Sequence, residues 1–173
     1  MPKSSVTSQA KPVSGEVLFD GKPITTLSPD QRAALGFGYM PEDRRLVPLL
    51  TVEENMLLPA WANKNIDAAH ELSKVYDLMP ELIEMKARKA LQLSGGQQKL
   101  VALGRALIAG SRLLFLDEPF EGVAPALSER LTEVIASLQD DKLSILIAQS
   151  ELNHANKLLS GEYLIERGEI VTT

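Results

Sequence analysis

The chain has 173 residues, 45% of them apolar, a net charge of -5 and no cysteine, which suffices for one domain with a substantial core. The negative balance argues against a nucleic-acid binder, which needs a basic face to displace counterions from phosphates. Without cysteine there are no disulfides and no thiolate zinc site, and His70 and His154 are the only imidazole ligands available.

Residues 1–12 read as a flexible lead-in that lacks the apolar segment of a secretion signal. In "GEVLFDGKPI", Asp20-Gly21 separates two short runs and predicts a hairpin, because both turn positions tolerate positive φ. "SPDQRAAL" offers Ser28 as N-cap, Pro29 at the first helical position and Gln31 three residues after the cap. "GFGYMP" reads as a strand stopped by Pro41, and "TVEENMLL" repeats the helix-start device with Thr51 and Glu54. Two further helices are expected over about 66–79 and 81–91, separated by Pro80, so that 51–93 forms an all-helical subdomain. A helix then opens at "LSGGQQKLVALGRAL", with Gly104 as its one internal breaker. Arg105 and Arg112 interrupt the apolar text well short of the ~20 residues that span a bilayer. "RLLFLDEP" contains an unbroken apolar run suited to a strand covered on both faces. "LSERLTEVIASL" is a helix with Leu127, Leu131, Val134, Ile135 and Leu138 on one face, and "SILIAQS" reads as a second buried strand. "EYLIERGEIVTT" is expected to close the chain as a hairpin turning near Gly168. Strands alternating with helices indicate an α/β fold.

Two short stretches carry chemistry. In "LSGGQQ", Ser94 can cap the helix while Gln97 reaches back, and Gly95 and Gly96 leave backbone N–H groups open at the positive helix end. The stretch is read either as an anion site for a phosphate or as a well-capped amphipathic helix. "LLFLDEP" ends a strand in two carboxylates, and ligands of open α/β sheets sit beyond the carboxyl ends of the strands. Asp117 has the chemistry to hold Mg2+, and Glu118 to accept a proton from an attacking water. The alternative is that Asp-Glu-Pro merely starts a loop.

Taken together, "LSGGQQ", "GRAL" and "LLFLDEP", in that order within residues 93–119, resemble the ATP-binding-cassette (ABC) ATPases. There LSGGQ is the signature motif and the apolar run ending in Asp-Glu is Walker B. The resemblance runs from about Ser14 to Thr173: "SGEVLFDGKPI" is similar to the family's N-terminal hairpin, and "GYMPE" falls at the Q-loop. The 51–93 segment falls at its helical subdomain. It implies an ABC ATPase core of P-loop NTPase type, a mostly parallel sheet with flanking helices, formed by 13–50 and 94–173, with short antiparallel hairpins.

Departures are as informative. The 173 residues contain no G-x-x-x-x-G-K-[ST]; the single Gly-Lys, Gly21-Lys22, is followed by Pro23 in a predicted hairpin. By the resemblance, the P-loop, the strand before it and the helix after it are missing. The neighbours of that strand then lose apolar cover at about 1.5–3 kcal/mol for each large side chain left exposed. A partner chain, self-association or rearrangement is expected to compensate. Glu42 stands at the Q-loop glutamine place, Ser150 at the switch-histidine place and Ala124 at the D-loop aspartate place. His154 reads as a surface residue rather than a displaced switch. "PEDRRLVPLLTVEEN", "VYDLMPEL" and "DEPFEGVAP" look like the branched-chain amino-acid importers, whereas "PEDR" and "SEL" are also similar to sugar importers; the first type is favoured.

The resemblance implies an ATP-binding subunit of an importer, cytoplasmic and peripheral on the membrane's inner face through permease subunits. A second ATPase subunit would share two ATP molecules, each with Mg2+. Carried over, Ser94, Gly95, Gly96 and Gln97 would address the γ-phosphate bound by the second subunit. Asp117 would support Mg2+, Glu118 would be the general base, and Glu42 and Ser150 would sense the γ-phosphate. Trp61 and Tyr76 of the helical segment would face membrane subunits, or else serve its core. Rival readings are a catalytically silent interaction module and a bare anion binder.

Overall fold

The computed structural model describes residues 14–138, 143–150, 159–167 and 169–171. The expected lead-in, His154 and Gly168 lie outside these. β1 (Leu18–Phe19) and β2 (Lys22–Pro23) form the expected hairpin, Leu18 opposite Pro23. Asp20 at φ 49° and Gly21 at φ 72° both take the left-handed conformation that matches the strand twist. α1 (Pro29–Ala34), α2 (Val52–Ala62) and α5 (Gly95–Ala109) each begin with a complete capping box, on Ser28/Gln31, Thr51/Glu54 and Ser94/Gln97. α3 (Ala68–Leu78) is capped by Asp67, whose carboxylate accepts from the His70 N–H.

The second expected helix of the 81–91 stretch is shorter than its sequence pattern. α4 covers only Glu81–Met85, and a 3-10 turn follows at Ala90–Gln92. Between them the backbone serves α2: the Val52 and Glu53 N–H groups donate to the Arg88 and Lys86 carbonyls at 2.9 and 3.2 Å. A helix through 86–89 would keep those carbonyls for itself and leave the first donors of α2 unpaired. In the first turn of α2, the fully buried Asn55 side chain closes the preceding loop onto the helix. Its amide donates to the Val47, Leu50 and Thr51 carbonyls and its oxygen accepts from the Val47 N–H.

β3 (Phe37–Met40), β4 (Leu113–Asp117) and β5 (Ser144–Ala148) form one parallel sheet in that order, with Met40 beside Leu116 and Asp117 beside Ala148. β4 is central and alternates between two cores. Leu114 and Leu116 join a large cluster with Leu103 and Ala106 of α5, Leu131 and Val134 of α6 (Pro125–Ser137), and Val52, Met56, Val75 and Leu82 of the helical layer. Phe115 meets Phe37 and Ile24 on the other face, the Phe37 ring standing edge-on to Phe19 and Phe115 at 4.7 and 5.9 Å. The 51–93 helices thus share one apolar cluster with the sheet.

β5 departs from the buried strand expected of "SILIAQS". Ser144, Leu146 and Ala148 are exposed, Leu146 by 47%, while Ile145 and Ile147 pack on the α5/α6 side. β5 is the outer strand, and the second cluster does not extend across it, so only alternate residues find cover. Beyond it β6 (Leu164–Glu166) and β7 (Glu169–Val171) pair antiparallel with Ile165 and Ile170 largely exposed.

Gly38 lets β3 pass against α5: a Cβ there would overlap the Ala106 carbonyl oxygen and come within 2.9 Å of Gly110 Cα. Because both obstacles are backbone, Gly38→Ala is expected to destabilise the chain by about 1–3 kcal/mol, read as a lower urea midpoint; an unchanged midpoint would contradict this packing.

α6 is tied to the helical layer by Arg130, whose Nε and Nη2 donate to the two Glu81 carboxylate oxygens at 2.9 and 3.2 Å, with Nη2 also on the Leu78 carbonyl at 2.7 Å. Burial alone would raise the Glu81 pKa; the Arg130 hydrogen bonds, the residue's own backbone N–H and the guanidinium charge outweigh it and hold the carboxyl below its ordinary value. A depressed carboxyl stabilises the fold above its unfolded pKa and loses that contribution as pH falls through the folded one. Arg130→Met is therefore expected to cost about 1–3 kcal/mol near pH 7, with the difference from wild type narrowing below about pH 4. Urea unfolding at several pH values measures it, and a pH-independent gap would assign the loss to packing alone.

Candidate functional site

The three parallel strands end at one edge, and the residues that follow them converge there. Glu42 comes two residues after Met40, Asp117 ends β4 with Glu118 just beyond it, and Ser150 follows β5 by two residues, exposed. The Asp117 carboxylate accepts from the Tyr39 hydroxyl at 3.2 Å. Glu118 extends the ladder by donating its N–H to the Ala148 carbonyl at 2.9 Å, yet it sits at φ 49°, a left-handed conformation costly for a residue with a Cβ.

α5 runs back along the sheet and brings its N-terminus to the same edge. The Ser94 hydroxyl accepts from the Gln97 N–H at 3.3 Å, and the Gln97 side-chain oxygen accepts from the Ser94 N–H at 3.0 Å. These two side chains are engaged with each other, as the capped-helix reading requires. The Gly95 and Gly96 N–H groups have no protein acceptor among the described residues, as an anion site requires. The two readings are compatible: the cap orders the turn that presents the free amides. A Cβ on Gly96 would overlap Leu127 Cδ2 of α6, so this turn is packed against the next helix.

Three residues that hold the site together were not singled out from sequence. Lys99, one turn into α5 and 5% exposed, donates from Nζ to the carbonyls of Glu118, Pro119 and Glu121 at 2.7, 3.2 and 2.5 Å. Burial lowers its pKa; the nearby Glu121 charge opposes this, Arg44 reinforces it, and Glu118 and Glu42 oppose it. Arg105 donates to the carbonyls of Arg44 and Arg45 at 2.5 and 2.7 Å, both residues left-handed at φ 63° and 46°. Arg44 in turn donates to the Gly95 carbonyl at 3.2 Å. The usable signal for Lys99 was a lone cation on a helix face otherwise made of Ala102, Leu103 and Ala106.

Of the aromatic pair, Tyr76 belongs to the interior of the helical layer: its hydroxyl donates to the Glu53 carboxylate at 2.7 Å, and burial, then that bond, raises its pKa. Trp61 is 56% exposed on α2. A groove of about 600 Å3 lies at the opposite, amino end of the sheet, lined by Glu71, Lys74, Leu78, Leu107 and Ser137. No helix among the described residues is long and apolar enough to cross a membrane.

No cluster of three or more His, Cys, Asp or Glu with metal-ligand geometry occurs among the described residues. The donor set at the edge is the Asp117 and Glu118 carboxylates with two free helix-start amides. That fits a Mg2+ held mainly by water and phosphate oxygens, and a phosphate reaching α5 from outside. It does not fit a triphosphate cradled wholly by these residues, since no lysine-bearing nest is present among them.

The ABC transporter family model matches residues 4–121. The chain is 33% identical over 158 residues to a high-affinity branched-chain amino acid transport ATP-binding protein of Pseudomonas aeruginosa, covering 91% of this chain and 68% of that protein. It is 34% identical over 158 residues to a probable branched-chain amino acid transport ATP-binding protein of Archaeoglobus fulgidus (91% and 67%). A lipopolysaccharide export system ATP-binding protein of Haemophilus influenzae is 30% identical over 161 residues (92% and 67%). Among solved structures, a nucleotide-free ATP-binding cassette from an ABC transporter superposes with a TM-score of 0.82 at 26% identity, over 96% of this chain and 72% of that one. A bacterial ABC transporter cassette solved as a dimer gives 0.72 at 25% identity (84% and 67%). With most of its length matched in sequence and its parallel sheet superposing on these cassettes, the chain belongs to the ABC transporter ATP-binding family.

Proposed function

We propose that this chain is the ATP-binding subunit of an ABC importer of the branched-chain amino-acid type, working as one half of composite sites shared with a second ATPase subunit. The core is 13–50 with 94–173, and 51–93 is the helical subdomain that faces the permease. The subunit is cytoplasmic and sits on the inner membrane face through those permease subunits. Ser94 to Gln97 act as the signature, their free amides meeting the γ-phosphate of an ATP held by the second subunit. Asp117 ends a Walker B strand and supports Mg2+, Glu118 is the general base, and Glu42 and Ser150 read the γ-phosphate.

The observation that carries this reading is the common edge. Lys99 bonds the turn beyond Asp117-Glu118 to the α5 helix whose first amides are open. The relatives in branched-chain amino acid transport support the importer type. Phosphoryl transfer depends mainly on positioning and charge, and these 173 residues carry no P-loop lysine. On their own they are expected to be inactive, which also favours a second reading: a catalytically silent module that regulates assembly.

Purified chain is accordingly expected to show no ATP turnover. Mixed with a homologous cassette that keeps its P-loop but has a disabled signature serine, it should restore turnover. In that mixture Ser94→Ala should reduce the rate about 100-fold while lowering stability by only about 1 kcal/mol through the lost cap. Turnover by the chain alone would overturn the half-site reading. A mixture left unstimulated or inhibited would favour the silent module.

A further inference from the structure

We infer that Lys99 is the positioning residue that sets the direction of the Glu118 carboxylate; the inference rests on the reading of Glu118 as general base. Glu118 occupies a backbone conformation that two local preferences oppose. It carries a Cβ at φ 49°, and it precedes Pro119, whose ring favours extended backbone in the residue before it. Such a conformation persists only where the surroundings over-determine it.

The surroundings do so from two sides. The Glu118 N–H is fixed by the Ala148 carbonyl of β5 at 2.9 Å, and its carbonyl by Lys99 Nζ of α5 at 2.7 Å. With the peptide planes before and after its Cα both pinned, the Cα–Cβ bond has one direction, and the carboxylate starts from one place. The same ammonium holds Pro119 and Glu121, so the whole turn is registered to α5 rather than the single residue.

Charge state and reach are matched to this task. An ammonium has three N–H donors and here meets three carbonyls; a neutral amine would leave one acceptor empty. Burial, and after it the Arg44 charge, work against the cation and lower its pKa on balance, while the Glu121, Glu118 and Glu42 carboxylates oppose that shift. A buried cation without such a seat would be strongly destabilising. Lys99 also lies one turn from Gly95 and Gly96. A displacement of the α5 start by a phosphate is therefore carried directly to the turn that aims Glu118.

Two variants test this. Lys99→Met keeps the stem and removes every donor, whereas Lys99→Gln keeps two donors without the charge. In hydrogen exchange on the full chain, Lys99→Met should accelerate residues 118–123 by about tenfold or more while α5 and the helical layer keep their protection, with Lys99→Gln in between. In the mixed assembly with a P-loop-bearing cassette, Lys99→Met should lower kcat about 100-fold with KM for MgATP changed less than about threefold. Adding Glu118→Gln to Lys99→Met should then cost little more, because the two act as one unit. Wild-type exchange in 118–123, or wild-type kcat, in folded Lys99→Met would overturn the inference. If neither variant folds, the wild-type chain decides: a slowly exchanging Lys99 ammonium resonance supports the seat and its absence refutes it. If the wild-type assembly itself shows no turnover, the general-base role of Glu118 fails, while the exchange data still decide whether Lys99 sets the turn.

Discussion

The ammonium of Lys99, buried and bonded to the Glu118, Pro119 and Glu121 carbonyls of the turn after β4, is the contact on which the carboxyl edge of the sheet depends. Moving a charge out of water costs several kcal/mol unless it is paired and fully hydrogen-bonded; here the seat supplies three acceptors, and the Glu121, Glu118 and Glu42 carboxylates offset part of the burial cost. The same helix carries a second cation, Arg105, which holds the carbonyls of the loop after β3. α5 therefore acts as a spine. One side chain near its start fixes the turn bearing Glu118, another fixes the loop bearing Glu42, and Arg44 returns from that loop to the Gly95 carbonyl. Movements of the helix start, the carboxylate turn and the Glu42 loop are consequently linked through cationic side chains anchored on backbone carbonyls.

The rest of the fold keeps that spine in place. β4 buries alternate residues in two cores, so it cannot slip in register without turning Leu114 and Phe115 into the wrong environments. Gly38 and Gly110 allow β3 and the α5 terminus to touch at backbone distance. Gly104, which looks like a helix breaker, instead makes room for Met56 and Val75 of the helical layer. Arg130 closes the circuit from α6 to α3 and α4. The exception is β5, the outer strand of the described sheet, whose residues Ser144, Leu146 and Ala148 lack cover.

What was legible in the sequence was what is set locally. The caps at Ser28, Thr51 and Ser94, the Asp20-Gly21 turn and the doubly buried β4 all follow from residues within a few positions of one another, and the structure has them. Non-local effects were hidden. Residues 86–89 have helical composition but give their carbonyls to α2, some 35 positions earlier in the chain. "SILIA" has the composition of a covered strand, and only the sheet order reveals that it is the outer one. The site showed the same division. Ser94 to Gln97 and Asp117-Glu118 announced themselves as motifs, whereas Lys99 and Arg105 act on backbone carbonyls about 20 and 60 positions away, for which no short pattern exists.

In the composite site proposed above, the nucleotide meets this chain from outside, at the open amides of α5, and is gripped by a second subunit. Equilibrium dialysis with Mg2+ and labelled ATP tests it most directly, first with the chain alone and then with a P-loop-bearing homologous cassette added. The chain alone is expected to show no stoichiometric retention at about 1 mM, the upper end of ordinary enzyme–substrate affinities, and the mixture to retain MgATP more tightly than the cassette alone. Binding of one MgATP per isolated chain at micromolar concentration would contradict it.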